Sequence, residues 1–540
     1  MRALSGPILF AGFLIALLAL EAVILLFPHA LVVNGHEGDL LHTLDAATRL
    51  SLGEWPHSGF MTPLGVLAVA PISLFMAFGF GPGTSFRLGM ILVATVLLPI
   101  IWYVGETRLG PRLKYFFGAW LIIMTTGLVY GGDQATSSIS MYYNRWAWSA
   151  VFLIGVLVLV PTRAAQRSQL EGALIGGLLA LLVLIKLTGF VAVAPAVLVS
   201  VLLNRDWEKA AAVAAAGLLV ALAITIAAGG PNYWLAYLND ILFLAQDSSR
   251  SKPGLDFTAV IANPTYLPGS LCLLLSAIIL RIFARKNEGL LLLVLAPGLF
   301  YITFQNWGND PTWLFLLACL MLALRPEAGK STFFSTDVRS WHNGIALAAL
   351  VLIAPSMLNV TYSTLRSALL QRADMAPAFS NHSDVDLLVS KERAYSASGK
   401  MPLDPVRDEN GKLGLPAETI DFAGQTLAEC AAQTGLMGMY QQLAGDIQEA
   451  GLAGQKILVS DVVNPLWLFG VGQRIPGLAP WYYGGPEGIS EADYVVIALC
   501  PFKPDSRKKM IEELKKTGQT YELVARKPHF LLFKRVGAEG

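Results

Sequence analysis

The chain is short of charge. Only 14% of its 540 residues are Asp, Glu, Lys or Arg, where a soluble protein of this length carries about a quarter. It is also short of cysteine, with four residues, and these form no CxxC or Cys/His spacing of the kind that holds zinc. A phosphate-loop glycine motif and a nucleophile elbow are both missing. The net charge of +1 says nothing about nucleic acid, no basic cluster suggests it, and no nucleic-acid partner is expected.

What fills the chain is apolar sequence, 54% of all residues. It comes in repeated runs near the length that crosses a bilayer. The expected fold is an α-helical polytopic membrane protein. Its spans are expected at 8–27, 86–104, 115–131, 147–161, 171–185, 188–203, 209–228, 266–284, 289–304, 312–324 and 343–360. The first run is too long for a signal peptide and no small-residue cleavage site follows it, so it reads as an uncleaved first span. Glu21 within it should face protein or water rather than lipid. The stretch 63–80 is interrupted by Pro63, Gly65, Pro71 and Gly79. If it lies along the membrane surface, the basic loops at 105–114, 161–169, 204–209, 281–289 and 325–342 all share the side of Arg2. The loops at 28–85, 132–146, 229–265 and 305–311 then lie outside, as does the C-terminal part.

Two apolar arms at 171–203 meet at Lys186 with no polar loop between them. They read as a tight hairpin with Lys186 at the floor of an external cavity, or as one long helix with a snorkelling lysine. The hairpin keeps the flanking basic loops on one side and is preferred. From 361 onward no twenty-residue apolar run occurs. Strands are expected near 456–460, 492–499, 521–525 and 529–533, with helices at 424–450 and 504–517 and a loop at 379–420. That alternation reads as a small extracytoplasmic α/β domain, 361–540, behind a membrane domain, 1–360. Cys430 and Cys500 lie in this part. A bridge between them requires an exported domain, and the sequence leaves the pairing open.

The polar stretch from Asn34 to Gly65 gathers Glu37, Asp39, Asp45, Glu54, His36, His42 and His57 in one external segment. Asp39–Leu52 has the spacing of a short amphipathic helix, with Leu40, Leu41, Leu44 and Ala47 on the apolar side and Gly53 as its stop. Asp39 then stands at the helix start, as a cap, a catalytic base, or both. Asp45 is expected to pair with Arg49 one turn on. The histidines read first as hydrogen-bonded structural residues, with His42 and His57 as substrate-binding candidates.

Here the order of features resembles the GT-C family of polyprenyl-phosphate-sugar-dependent glycosyltransferases, which includes the aminoarabinose and protein O-mannosyl transferases. The residues that carry it are Glu37-Gly38-Asp39, a short helix, Gly53-Glu54-Trp55, Thr62-Pro63-Leu64, Phe86-Arg87-Leu88 and Tyr142-Tyr143-Asn144-Arg145-Trp146. The family's adjacent acids are split here by Gly38, which leaves Asp39 first and Glu37 second as the catalytic acid. Its second acid across the cavity is Asn144 here, or has moved to Asp133. The resemblance covers roughly residues 1–325. It implies transfer of a sugar from a polyprenyl-phosphate donor to a glycan, lipid or protein acceptor on the outer face of a bacterial inner membrane, with the N-terminus cytoplasmic. It leaves a divalent cation, Mg or Mn, open.

A departing lipid phosphate gathers negative charge, and cations placed there lower the barrier. Lys186 and Arg145 are candidates, with Arg250 and Lys252 in the external Gln246–Gly254 segment. Tyr143, Asn144, Asn306 and Asp310 are candidate sugar contacts. Trp234, Trp307 and Trp481 can stack on a sugar or simply mark membrane interfaces. The rival reading is a transporter or flippase of a lipid-linked or small polar substrate, which Lys186 in a broken helix also suits. The gathering of polar groups on one side, without a convincing repeat, favours the enzyme.

Overall fold

The computed structural model describes residues 6–132, 134–165, 167–246, 258, 262–283, 285–305, 310–329, 331–370, 372–379, 385–396, 398–400, 420–427 and 430–536. Eleven apolar helices stand where eleven spans are expected. They are α1 (Pro7–Leu26), α4 (Pro82–Arg108), α5 (Leu113–Thr126), α6 (Tyr142–Leu159), α7 (Ser168–Ile185), α8 (Leu187–Asn204), α9 (Trp207–Ala227), α11 (Tyr266–Ile282), α12 (Lys286–Gln305), α13 (Trp313–Ala323) and α14 (Val338–Leu369). Among the described residues, seven of these are long and apolar enough to cross a membrane, while α5, α11 and α13 are shorter and α6, with 18 residues, opens on the polar Tyr142-Tyr143-Asn144-Arg145. α9 buries none of its side chains in protein. Residues such as Leu218 and Ile226 project outward, as expected where lipid is the solvent. Glu21 is buried, and Thr126 donates to its carboxylate.

The preferred hairpin is present. α7 and α9 run parallel, because Gly172 faces Lys209 and Ala212 while Gly176 faces Val213 and Ala216. A Cβ on Gly176 would stand 2.2 Å from the Val213 carbonyl oxygen, so only glycine lets the backbones approach this closely. Since α8 joins two parallel helices through short links, it must return antiparallel. Lys186 is its turn, in extended conformation between two helices.

Three of the basic loops meet at the far end of the bundle. There Lys209 reaches Glu171 at 3.0 Å, Arg108 pairs with the same buried carboxylate, and the Arg163 amide donates to Thr107 O at 2.7 Å. The expected outer loops meet at the opposite end. The Gly65 amide donates to Ile185 O, the Asn34 amide to Ser137 O, and Gly132 to Asp310.

The segment 63–80 does not span. It holds only a short 3-10 turn and α3 (Ala70–Ala77), eight residues covering about 12 Å. The expected outer loop at 229–265 contains a helix the sequence reading lacked, α10 (Asn232–Gln246). Its buried Tyr233 and Tyr237 alternate with exposed Leu235, Leu238 and Leu242, so it is amphipathic. α14 continues to Leu369, across the expected change of character at 361.

The C-terminal part is built partly on the first outer segment. β1 (Leu31–Val33) pairs in parallel with β3 (Leu387–Ser390), which pairs antiparallel with β2 (Met375–Pro377). Asp386, just before β3, receives the Gly83 and Thr84 amides at 3.2 and 2.7 Å. It thereby satisfies the open N-terminus of α4. The segment expected as loop at 379–420 thus holds β3 and α15 (Lys391–Tyr395) where it is described. The helix expected at 424–450 is α16 (Leu436–Glu449), preceded by short strands at Gln425–Leu427 and Ala431–Thr434.

The main sheet follows the sequence reading. β4 (Ile457–Val459) is parallel to β5 (Tyr494–Ala498), which pairs antiparallel with β7 (Phe530–Val536), and β6 (Thr520–Arg526) forms the outer edge. Side chains alternate across it. Leu458, Val495, Ile497, Leu531 and Phe533 face α17 (Pro504–Lys516), and Val459, Val496 and Leu532 share a core with α16. Cys430 and Cys500 are bonded, with Cα atoms 4.9 Å apart.

Candidate active site

The site begins at the first turn of α2 (Glu37–Ser51). The helix starts two residues earlier than expected. His36 occupies the cap position in a left-handed conformation, φ 63°. Asp39 is therefore third in the helix and not its cap. Its carboxylate receives the Ser140 hydroxyl instead, from the segment that leads into α6. The position still favours a carboxylate, because the N-terminal end of a helix carries partial positive charge. Gly53 ends the helix at φ 90°, as its sequence position suggests.

Lys186 reaches the same segment from below. Its Nζ donates to Asn144 Oδ1 at 3.2 Å and stands 5.7 Å from the centre of the Tyr143 ring. Ser140 and Asn144 are four residues apart. One short stretch at the start of α6 therefore holds both the acid of α2 and the cation of the hairpin turn. Lys186 is mostly buried, so its charge acts where water screens little.

Beside this stretch lies a small cavity of about 20 Å³, lined among others by Tyr130, Asn144, Arg145 and Asp310, with room for about one water. Arg145 is not deployed as expected. Its guanidinium donates to Val129 O at 2.5 Å and Gly127 O at 2.8 Å. It thus fixes the wall of the cavity rather than extending toward a phosphate. Asp310 receives the Gly132 amide at 2.7 Å and the Ser356 hydroxyl. Tyr130 feels both acids. Burial first, then the charges of Asp39 and Asp310, push its phenol up to about 12, so it stays a neutral hydrogen-bonding group. His36 stacks on Tyr130 with ring centres 4.1 Å apart, and its Nδ1 lies 3.2 Å from Ser138 Oγ. Burial, then the charge of Arg393, lowers the His36 imidazole to about 4.

The C-terminal part grips α2 at both ends. Arg393 Nε lies 2.9 Å from the buried Glu37 carboxylate. Asp45 and Arg49 pair at 2.6 Å, both about 1% exposed, as expected. Trp467 Nε1 donates to Asp45 at 3.2 Å, and Arg474 meets Glu54 at 2.6 Å. The Arg49 and Arg474 guanidinium groups each lie 5.7 Å from the Trp467 ring centre. Trp481 sits beside α2, with its ring 5.6 Å from that of His42. His57 turns to α10. Its Nδ1 is 2.7 Å from Asp240 Oδ2 and its ring stacks on Tyr237.

The expected residues thus divide. Asp39, Lys186, Tyr143 and Asn144 converge on the start of α6, and Arg145 and Asp310 line the adjoining cavity. Glu37 and His57 are committed to Arg393 and Asp240. Arg250, Lys252, Asn306, Asp133 and Trp307 lie outside the described residues. Ser140 and Tyr130 were not singled out from sequence, since a serine and a tyrosine in a loop carry no pattern of their own. Among the described residues, no three or more His, Cys, Asp or Glu side chains gather as a metal ion would require.

No family model matches this chain, and no curated protein matches it. Two solved structures do. One is the crystal structure of ArnT from Cupriavidus metallidurans bound to undecaprenyl phosphate, 12% identical over 98% of this chain and 99% of that one, with a TM-score of 0.42. The other is ArnT from Cupriavidus metallidurans in the apo state, 12% identical over 97% of each chain, with a TM-score of 0.44. Likeness at that level decides nothing about chemistry.

Proposed function

We propose that this chain is a membrane glycosyltransferase of the GT-C kind, one that takes a sugar from a polyprenyl-phosphate donor and transfers it, with inversion, to an acceptor hydroxyl. The observation that carries this reading is the convergence of Asp39 and Lys186 on Ser140–Asn144. Asp39 accepts the proton of the acceptor hydroxyl as its oxygen attacks the anomeric carbon. The bond from that carbon to the phosphate oxygen breaks, and the polyprenyl phosphate leaves as an anion beside Lys186. A single displacement inverts the anomeric centre. Ser140 keeps the Asp39 carboxylate oriented through its hydroxyl.

On this reading the site lies on the outer face of a bacterial inner membrane, with the C-terminal domain exported and the N-terminus cytoplasmic. Two features support this. Three of the basic loops gather at the opposite end of the bundle, and the Cys430–Cys500 bond belongs to an oxidising compartment.

The test uses purified protein in proteoliposomes with a lipid-linked sugar donor. Asp39→Asn is expected to abolish transfer while donor binding persists, and full activity in that variant would overturn the role of Asp39. Glu37→Gln is expected to keep most of the activity, because Glu37 is occupied by Arg393. Movement of donor between leaflets without transfer would make the protein a transporter instead.

A further inference from the structure

Three non-glycine residues of the outer segments hold a left-handed backbone: His36, Met141 and His57, at φ 63°, 63° and 70°. Such a conformation costs free energy and persists only where the surroundings fix it. His36 caps the helix that carries Asp39, and Met141 caps α6 directly after Ser140. His57 is held by a different set of contacts. Its side chain is fully buried, its Nδ1 lies 2.7 Å from Asp240 Oδ2, and its ring stacks on Tyr237 with centres 4.2 Å apart. A carboxylate only accepts, so His57 Nδ1 is the donor.

These contacts close a clamp on the end of α7, directly before Lys186. The last carbonyls of a helix need partners from elsewhere in the chain. Two arms supply them here. From α10 the Tyr237 hydroxyl donates to Val183 O at 2.6 Å. From the first outer segment the Gly65 amide donates to Ile185 O at 3.0 Å. Gly65 comes so close that a Cβ on it would stand 2.3 Å from Leu184 O. Asp240 ties the arms together. It lies one turn after Tyr237 in α10, and one of its oxygens receives both the His57 ring and the Thr62 amide, the latter at 3.2 Å. His57 and Thr62 belong to the arm that ends in Gly65.

We propose that His57 and Asp240 are positioning residues for Lys186. By locking the two arms together they fix the hairpin turn, and with it the ammonium that meets the donor phosphate. This rests on the glycosyltransferase reading, in which Lys186 holds that phosphate. Lys186 has an extended backbone, φ −161°, between two helices, so no helical turn of its own sets its direction. The clamp on the carbonyls just before it does so instead. Small displacements of a group that must meet a reacting centre carry large penalties, so a loosened turn should show first in phosphate binding.

The test is a double-mutant cycle read by binding. Full-length protein in nanodiscs is titrated with polyprenyl phosphate, with Lys186 intact and in a Lys186→Met background. Asp240→Leu breaks the tie, and Tyr237→Phe removes only the hydroxyl on Val183 O. Each is expected to weaken binding at least three-fold when Lys186 is present and to add nothing once it is gone, since residues that act through one another are not additive. Asp240→Asn keeps an oxygen for His57 and Thr62 and is expected to bind within two-fold of wild type. A clamp that merely holds the fold would weaken binding alike in both backgrounds, or lower the unfolding temperature and leave affinity untouched. Either result in Tyr237→Phe would overturn the proposal, and so would an Asp240→Asn protein that binds as weakly as Asp240→Leu. If Lys186→Met alone binds polyprenyl phosphate as tightly as wild type, the glycosyltransferase reading of Lys186 falls instead.

Discussion

Lys186 Nζ donates to Asn144 Oδ1 across 3.2 Å. A neutral amide therefore faces the cation at the hairpin turn. An aspartate at 144 would form an ion pair with it. Asn144→Asp should then weaken donor binding ten-fold or more, in line with the roughly 1.5–3 kcal/mol of a hydrogen bond to a charged group. Lys186→Met should weaken it at least as far. Titration of each variant with polyprenyl phosphate reads both, and tight binding by Asn144→Asp would remove Lys186 from the phosphate site.

Much of this arrangement is legible in the sequence. The apolar runs are long and the loop charges sort cleanly, so the spans, the hairpin at Lys186 and the non-spanning segment at 63–80 follow from length and charge. The Asp45–Arg49 pair follows from helical spacing. What stays hidden is whatever depends on chain segments far apart. The start of α2 moves from Asp39 to Glu37 because the left-handed His36 stacks on Tyr130, nearly a hundred residues away. Glu37 ranks second to Asp39 in the sequence, and its pairing with Arg393 from the C-terminal part is seen only in the fold. Arg145 reads as a phosphate ligand because nothing local shows that Gly127 and Val129 offer it their carbonyls. α10 escapes detection because its apolar residues are too few for a span.

Asp45 and Asp39 should fail in different ways when altered. Asp45 is fully buried against Arg49, Trp467 and the rest of the C-terminal grip. Asp45→Asn leaves the buried Arg49 guanidinium with Glu54, at 2.9 Å, as its remaining counter-charge, so the loss falls below the roughly 3–5 kcal/mol of a buried pair broken outright. Thermal unfolding in detergent should show a loss of stability. Arg474→Ala removes a partner that is a third exposed, and a pair of that kind is worth about 1 kcal/mol or less. Asp39→Asn should unfold near the wild-type temperature and lose transfer alone. An Asp45→Asn protein as stable as wild type would show that the grip on α2 is not held by this pair.

His36 gives the site a calculable response to acid. Its imidazole is held down to about 4 in the folded chain against 6.5 for an unburied histidine. Between those values the unfolded chain takes up a proton that the folded chain refuses. Stability from this group is therefore complete above about pH 6.5 and is lost as pH falls toward 4. The loss amounts to at most about 3 kcal/mol, less for the part of the ring that water reaches. His36→Asn keeps a residue that tolerates the left-handed backbone and removes the titration. Melting curves at pH 7, 5.5 and 4.5 should show wild type losing stability faster than the variant, and parallel curves would refute the assignment.

The Cys430–Cys500 bond closes 70 residues and joins the segment before α16 to the loop after β5. In the chain-entropy view, closing a loop of that size stabilises the folded form by about 4 kcal/mol. It ties down a region whose other anchor is Asp461. That carboxylate is fully buried and accepts the amides of Val462, Phe502 and Lys503. Burial, against those amides, pushes its carboxyl up to about 6, so near neutral pH it is a weaker brace than its contacts suggest and the disulfide carries more of the load. Cys430→Ser with Cys500→Ser should therefore lower the unfolding temperature of the C-terminal part by several degrees, and reductant should lower wild type equally but leave the double variant unmoved. Thiol counting after denaturation checks the state of the bond. Protein from an oxidising compartment should expose two alkylatable cysteines, Cys272 and Cys319, and four only after reduction. Four without reduction would place the C-terminal domain on the reducing side of the membrane, and the proposed site with it.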